Sequence, residues 1–488
     1  MAQENTEIRE ITVSIETATT FARPARYALT MLGLIAGCRF RFVRADAVLH
    51  YGPTARQDAA WLPAATGVQQ RLLEKGALPL SPVDQQAHGQ SFLSLFPVTA
   101  AAPLSSDIIA AAFFFLSLHE QWSSAARDRF DRFPAAASLL GARGELARPV
   151  LAEYALQLRA VLRSAGHDLP DTGRYEGRRA AAVMTHDIDY LSKFTAGLLF
   201  RELVKNFLFN RRHVSGAERL QRLREYLGFM REENDPYVQS ILRMLAVEEQ
   251  RGIRGSWLFK AGGRDRRDVS YRLEGARARR IIALLREKGH DIGLHPSFHA
   301  HTDAAMLRRE HQRLRSATDA DLRSVRQHYL RFIYPKTWRQ QAAENFFVDS
   351  TLGFAEEEGF RNGCCHPFLP WDLDRGEVLP IWELPLTVMD GTLAQYRGMT
   401  PGDARMRIDA LLRTVTEAGG VAVLLFHNTA YDAHDFPGWG EVFAHAAESM
   451  ERSAMYSDTL PGTVEAWLRS SAFRDTEEVM QVINSEPA

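Results

Sequence analysis

The spacing of hydrophobic residues divides the chain into two parts. In the first part, short strand-like stretches such as ITVSIE, FRFV and AVLHYG surround one helical pattern, RYALTMLGLIAGC. These patterns predict a small α/β unit over residues 1–165. The next stretch, GHDLPDTGRYEGRR at 166–179, combines glycines, a proline and charges as a linker does.

From residue 180 onward, strand-like and helix-like patterns alternate. The strand candidates are AAAVMT, GSWLFKAG, GHDIGLH, SVRQHY, VLPIWELPLTV and VAVLLFH. Such alternation predicts a parallel sheet with helical crossovers, in which reactive groups gather at the carboxyl ends of the strands. We therefore predict an α/β fold with a (β/α) barrel at 180–472, a helical insertion at 191–250 and a C-terminal tail at 473–488.

Composition narrows the class of protein. The 488 residues carry a formal net charge of -1, so there is no global field to attract nucleic acid. Three cysteines, Cys38, Cys364 and Cys365, cannot build a disulfide framework, and the amino terminus lacks a secretory pattern. The longest apolar run, at 108–118, is too short to cross a bilayer. We expect a cytoplasmic protein that binds no nucleic acid, and the oligomeric state stays unknown.

The insertion has a local excess of basic residues. Between Lys193 and Arg224 there are eight lysines and arginines against two glutamates. A basic amphipathic helix can lie on an anionic membrane face or bind an anionic glycan. A solvated helix that covers the barrel is the alternative. Peripheral membrane contact through 193–224 therefore stays open.

Two carboxylates end the first strand of the barrel, in the stretch VMTHDIDY. Asp187 and Asp189 are two positions apart, so in a strand both side chains point the same way. Burying charge at such a place is costly unless a metal or a counter-ion is present. Helix capping by Asp187 is the simpler alternative.

Histidines in HDIGLHPSFHAH are candidate partners for these carboxylates. If Pro296 begins a helix, the spacing of four brings His295 and His299 onto one face. Two imidazoles and one carboxylate, with a position left for water, form a catalytic zinc arrangement. The sequence thus predicts Asp189, His295 and His299 as metal ligands and Asp187 as the base that takes a proton from water.

The ordered motifs THDIDY, HPSFH, RQHY, LPLTVMD and LLFHN resemble the five motifs of the polysaccharide deacetylases, carbohydrate esterase family four. The chain looks closest to a branch of bacterial deacetylase-like proteins of surface polysaccharide biosynthesis with an extra N-terminal domain. The resemblance covers about 180–470 and, more loosely, about 20–165. It implies a distorted (β/α) barrel of the deacetylase type preceded by a smaller α/β domain. It also implies metal-dependent removal of an N-acetyl group from an acetamido sugar.

Carried over position by position, the resemblance implies the same base and metal ligands and adds four roles. Arg326 would pair with the base and keep it ionised and aimed. The backbone N–H of Tyr329 would stabilise the oxyanion. His427 would act as the general acid, with Asp390 holding it as an imidazolium and Glu383 as the alternative partner.

The sequence departs from the family pattern in three places. Ile188 separates two aspartates that are usually adjacent, His328 replaces a proline and His186 replaces an apolar residue. Either histidine could supply an extra ligand or reshape the floor of the sugar site. The stretch GFRNGCCHPF resembles a sequence stretch of the same branch of proteins. This resemblance implies that Arg361 and His366 lie near the rim of the active site.

Zinc is the first choice of metal, although this ligand set also suits iron, cobalt or nickel. A cytoplasmic address favours a precursor, such as a nucleotide-linked or lipid-linked N-acetylated sugar, as the substrate. Two other functions stay open. One is hydrolysis of a small cyclic amide or imide, and the other is a non-catalytic glycan-binding or assembly module.

Overall fold

The structure is a computed structural model. It describes residues 10–78, 80, 82–99, 104–169, 174–193, 220, 224, 227–228, 231–269, 271–433, 435–471 and 473–487. Most of the basic segment 193–224 lies outside these residues. Among the helices described, none combines the length and the apolar character needed to cross a membrane.

The N-terminal part contains a parallel sheet and a hairpin. Its strands are β1 (Glu10–Ile15), β2 (Arg39–Phe42), β3 (Leu49–Gly52), β4 (Ala60–Pro63), β5 (Val83–Ala87) and β6 (Gln90–Ser94). The first four form one sheet in the order β2-β1-β3-β4, and the last two pair antiparallel. The first helix ends at Gly37, whose left-handed φ of 84° lets its N–H bond the carbonyl of Gly33.

An eight-stranded parallel sheet dominates the second part. The remaining strands are β7 (Ala181–Ile188), β8 (Ser256–Phe259), β9 (Asp291–Leu294), β10 (Ser324–Val325), β11 (Val348–Asp349), β12 (Trp371–Asp372), β13 (Glu377–Val378), β14 (Trp382–Glu383), β15 (Val388–Met389) and β16 (Val421–Leu425). The sheet order is β14-β11-β10-β9-β8-β7-β16-β15, and β12 pairs only with β13. The predicted fold class, an α/β protein with a distorted (β/α) barrel preceded by a smaller α/β domain, is confirmed, and the barrel takes the form of a parallel half-barrel.

Helices cross over between the strands. The α-helices described are α1 (Thr19–Ala36), α2 (Thr66–Gln69), α3 (Ile108–Leu116), α4 (His119–Ser123), α5 (Leu139–Ala142), α6 (Val150–Ser164), α7 (Pro236–Gln250), α8 (Ala276–Glu287), α9 (Ala304–Thr318), α10 (Lys336–Ala343), α11 (Pro401–Ala418), α12 (Trp439–Arg452), α13 (Leu460–Ser470) and α14 (Thr476–Asn484). The central strand β7 is buried along its whole length, as expected of a parallel strand covered on both faces.

The two parts pack closely against each other and share one hydrophobic core. The Tyr27 hydroxyl donates to the Leu369 carbonyl at 2.7 Å. At Gly359, φ is 127° and a Cβ would lie 2.3 Å from the Leu146 carbonyl oxygen, so the contact requires glycine. The N-terminal part is therefore fixed against the half-barrel.

The segment predicted as a C-terminal tail is folded. Its helix α14 packs on α1, and Glu478 pairs with Arg39 at 2.8 Å. The Arg39 guanidinium also lies 4.7 Å from the centre of the Phe473 ring. The sequence signal for this packing is the spacing of Val479 and Ile483, which are four positions apart and both buried.

Candidate active site

A cavity of about 580 Å³ opens at the carboxyl ends of the parallel strands. Polar residues at the ends of neighbouring strands line this cavity, because the carboxyl ends of all strands in a parallel sheet lie at one edge. The polar residues that line it are Arg132, Asp187, Asp189, Tyr190, Tyr237, Lys260, Arg267, His295, His328, Tyr329, Asp390, Gln395, Tyr396, His427, Thr429 and Asp435. The structure thus brings together most of the site residues predicted from sequence.

Asp187 lines the cavity and is paired with Arg326, which lies behind it. The Arg326 Nη1 donates to Asp187 Oδ1 at 3.1 Å, and both side chains are almost fully buried. Arg326 also donates to the Thr185 hydroxyl at 2.9 Å and to the Ser350 carbonyl at 2.8 Å. The guanidinium is therefore held in place and supplies the counter-charge for the buried carboxylate.

Asp189, His295 and His328 form a group that could hold a metal ion. Each offers one ligand atom, and these atoms lie within 4.8 Å of one another. Asp189 Oδ1 lies 3.4 Å from His295 Nε2 and 3.3 Å from His328 Nε2. This buried oxygen accepts no hydrogen bond of good geometry from the described residues. An unsatisfied carboxylate oxygen between two imidazoles fits a divalent cation.

Hydrogen bonds orient both imidazoles toward that group. His295 Nδ1 donates to the Arg326 carbonyl at 2.8 Å, which leaves Nε2 as an acceptor. The ligand role requires the His328 proton on Nδ1, donated to Asp268 Oδ1 at 3.1 Å, which leaves Nε2 as an acceptor; the Lys260 ammonium, 2.9 Å from the same Nδ1, competes with that donation. Burial would raise the pKa of Asp189, but His328 and His295, when they carry positive charge, hold it well below the usual range.

His299, the third predicted ligand, lies outside this group. Its side chain is 55% exposed and its Nε2 bonds Asp265 Oδ2 at 3.0 Å. The sequence allows either the first turn of a helix or a tight loop after Pro296, and the structure has the loop, since residues 298–302 are turns. The Ser297 N–H donates to Glu310 at 2.7 Å and holds this turn. The spacing of four therefore does not align the two imidazoles, and His328 stands where His299 was predicted.

His427 and Asp390 form a tight pair on neighbouring strands. Asp390 follows β15 and His427 follows β16, and Asp390 Oδ1 lies 2.7 Å from His427 Nδ1. Asp390 Oδ2 also accepts the backbone N–H of His427 at 2.7 Å. Burial opposes protonation of the imidazole, but Asp390 outweighs it and, with Asp189 and Asp187, raises the pKa of His427 to about 10. His427 is therefore an imidazolium at neutral pH.

Glu383, the alternative partner for His427, lies elsewhere in the sheet. It accepts from the Trp338 indole N–H at 2.9 Å and from the Leu352 N–H at 3.0 Å. Burial and the neighbouring Asp349 raise the pKa of Glu383. This carboxyl group belongs to the core and does not line the cavity.

Three further residues raised by the sequence do not reach the cavity. His186 projects from the opposite face of β7, where Nδ1 bonds the Phe426 carbonyl at 3.0 Å and Nε2 bonds Glu248 at 2.9 Å. Arg361 donates to the Gly353 carbonyl, and His366 is buried against Trp467. Resemblance of short stretches does not fix which face of a strand or loop a side chain occupies.

The buried pair of His186 and Glu248 gives a stability prediction. Both side chains are fully buried, so Glu248→Ala leaves an imidazole nitrogen without its partner and should cost about 3–5 kcal/mol of unfolding free energy. Glu249→Ala is the matched control, because Glu249 forms an exposed, solvent-screened pair with Lys288 that adds little stability. Urea titration followed by tryptophan fluorescence measures both. Equal losses for the two variants would show that the buried pair adds nothing.

Two residues beside the possible ligand group, Lys260 and Asp268, were not identified from the sequence. Lys260 follows β8 and is almost fully buried, with Nζ 3.0 Å from Asp268 Oδ1 and 2.9 Å from His328 Nδ1. Asp268 sits in the loop after it. The position of Lys260 directly after GSWLF, at the end of a predicted strand, was the available signal.

Comparisons with known proteins divide the chain in the same way. Residues 15–167 match a family of unknown function, DUF7033. No curated protein matches the chain.

Solved structures similar to the chain are polysaccharide deacetylases and their relatives. A Mycobacterium smegmatis protein classed as a polysaccharide deacetylase gives a TM-score of 0.41 at 17% identity, covering 60% of this chain and 92% of that one. A polysaccharide deacetylase from Bacillus cereus gives 0.29 at 8% identity, covering 57% and 91%. A pseudoenzyme of carbohydrate esterase family four from Bacillus anthracis gives 0.29 at 10% identity, covering 58% and 64%. The similarity is distant and concerns the fold alone.

Proposed function

We propose that this chain is a metal-dependent hydrolase that removes the acetyl group from an N-acetylated sugar. The observation that carries the proposal is the convergence of three arrangements on one cavity. These are the possible ligand group of Asp189, His295 and His328, the Asp187–Arg326 pair and the Asp390–His427 pair. A buried carboxylate and an imidazolium on either side of a metal site suit general base and general acid work.

The residues divide the work of amide hydrolysis between them. Asp189, His295 and His328 would hold a divalent cation, which when bound polarises a carbonyl and activates water. Asp187, aimed by Arg326, accepts the proton of the attacking water. The Tyr329 backbone N–H is assigned to the developing oxyanion. His427, charged by Asp390, donates a proton to the departing amine nitrogen.

The substrate proposal is a sugar precursor handled in the cytoplasm, carried by a nucleotide or a lipid. The cavity has room for a sugar ring, and Tyr329 and Tyr396 are among the residues that line it. Both the cytoplasmic address and the choice of zinc stay predictions.

Acetate release tests the proposal directly. Purified full-length protein with added zinc should release acetate from at least one member of a panel of free, nucleotide-linked and lipid-linked N-acetylated amino sugars. Asp187→Asn should abolish this release, because the buried base is then lost. No acetate from any member, with zinc bound, would contradict the proposal. A ring-opened acid from a cyclic amide would instead favour the second hydrolase function.

One observation favours a non-catalytic glycan-binding module as the second candidate. The ammonium of Lys260 lies beside His328 and Asp268, where it offsets negative charge without a metal. The Bacillus anthracis relative is called a pseudoenzyme, and a mutant of it is described as having restored enzymatic activity. Sugar binding without acetate release or metal uptake would establish this alternative.

A further inference from the structure

A preorganised turn of the N-terminal part faces the cavity of the half-barrel. The Asp128 carboxylate accepts from the backbone N–H groups of Phe130 and Arg132 at 2.8 and 2.9 Å. It also accepts from Arg132 Nε at 2.8 Å, and the Asp128 N–H donates to the Arg132 carbonyl at 2.8 Å. With the Asp131 N–H donating to the Asp128 carbonyl at 3.0 Å, five hydrogen bonds within five residues hold the turn.

Arg132 extends from this turn to the part of the cavity wall that contains Tyr329. Its Nη1 donates to the carbonyl of Tyr329 at 2.9 Å, and only 6% of the residue is exposed. Its guanidinium lies 5.0 Å from the centre of the Phe130 ring. Arg132 is also one of the residues that line the cavity, and it belongs to the segment that matches the family of unknown function.

The backbone that Arg132 holds is in an uncommon conformation. Tyr329 has φ 62° and ψ 16°, and Leu330 has φ 52°, both in the left-handed region. Such a conformation is strained for a non-glycine residue and persists only where its surroundings impose it. Here the Phe130 ring lies 5.1 Å from the Tyr329 ring, and Arg331 Nε donates back to the Phe130 carbonyl at 2.8 Å. The turn therefore contacts this strained backbone on both sides.

We propose that the N-terminal part completes the active site, with Arg132 as the positioning residue that fixes the Tyr329 backbone. This inference rests on the proposed function, which assigns the Tyr329 N–H to the oxyanion. A displacement of about 1 Å of such a group costs on the order of 100-fold in rate, so the half-barrel alone would be a poor catalyst. The N-terminal family thereby gains a role as part of a catalytic pocket.

Arg132→Met is the test variant, because methionine keeps the apolar packing over Phe130 and removes the donors. We expect kcat to fall about 10- to 100-fold while KM stays within about threefold. Amide hydrogen exchange of residues 326–332 should become faster at the same time. Arg132→Lys, which retains a donor, should recover part of both effects.

Arg129→Met is the matched control. Arg129 is exposed on the same turn and lies over the same Phe130 ring, 4.7 Å from its centre. It should keep wild-type kcat and exchange. If Arg132→Met fails to fold, Asp128→Asn loosens Arg132 without removing it and should change both readouts in the same direction by a smaller amount.

Unchanged exchange at 326–332 in the folded Arg132 variant would overturn the inference, and so would faster exchange with wild-type kcat. The exchange comparison does not depend on turnover. A wild-type protein without deacetylase activity would contradict the proposed function. Faster exchange in Arg132→Met would even then support the inference that Arg132 fixes the Tyr329 backbone.

Discussion

His328→Ala is expected to lose bound metal, whereas His299→Ala keeps it. In the structure His328 Nε2 faces Asp189, and His299 points into solvent beside Asp265. Since even partners outside the ligand sphere cost about 10–100-fold in metal affinity when removed, loss of a ligand should cost more than ~100-fold. Acetate release should fall by at least about 10³-fold, because the Lewis acid supplies several kcal/mol.

Zinc titration and elemental analysis of dialysed protein measure this difference. His299→Ala serves as the matched control, because it removes an imidazole only four positions from His295. The reverse result, with metal lost in His299→Ala and kept in His328→Ala, would restore the ligand set predicted from sequence. The helical turn predicted at Pro296 would then have to form when metal binds.

His427→Gln is expected to lower kcat about 10²- to 10⁴-fold, the usual contribution of a general acid. Metal content should stay unchanged, because His427 is not among the three ligands proposed. A variant with full activity would show that another group protonates the leaving amine. Acetate release under saturating substrate measures the effect.

Asp390→Asn tests how the proton donation by His427 depends on pH. Asp390 raises the pKa of His427, whereas burial alone lowers it, so removing the charge should bring this pKa down from about 10. Activity that needs protonated His427 would then decline at lower pH, and the alkaline limb of the kcat profile should move to lower pH. If the alkaline limb did not move, it would reflect the titration of a group other than His427.

The raised pKa of His427 also makes the stability of the fold depend on pH. The folded-state pKa of His427 lies above its unfolded value of roughly 6.5, so protonation favours the folded state. This contribution is complete below the unfolded pKa and is lost as pH rises through about 10. Asp390→Asn should remove most of it.

The sequence sufficed for those features that depend on strand ends. Asp187 and Asp189 end a hydrophobic run, and Arg326, Asp390 and His427, named through the family resemblance, follow the strands β10, β15 and β16. The topology of a parallel sheet then brings such positions to one edge, whatever their separation along the chain.

Features that depend on turns and on distant contacts could not be predicted in this way. The direction of His299 is decided by the turn that Glu310 holds from helix α9. The place of His328 depends on Asp268, sixty residues earlier in the chain. Arg132 lies in a polar stretch, ARDRFDR, which has no periodicity to indicate an element or a packing partner. Only the packing of the two parts shows its contact with Tyr329.

Anomalous diffraction at the zinc absorption edge, from crystals of the full chain grown with zinc, tests the central claim most directly. The account predicts one strong peak per chain within bonding distance of Asp189, His295 Nε2 and His328 Nε2. A peak between His299 and Asp265, or no peak in this cavity at saturating zinc, would contradict it.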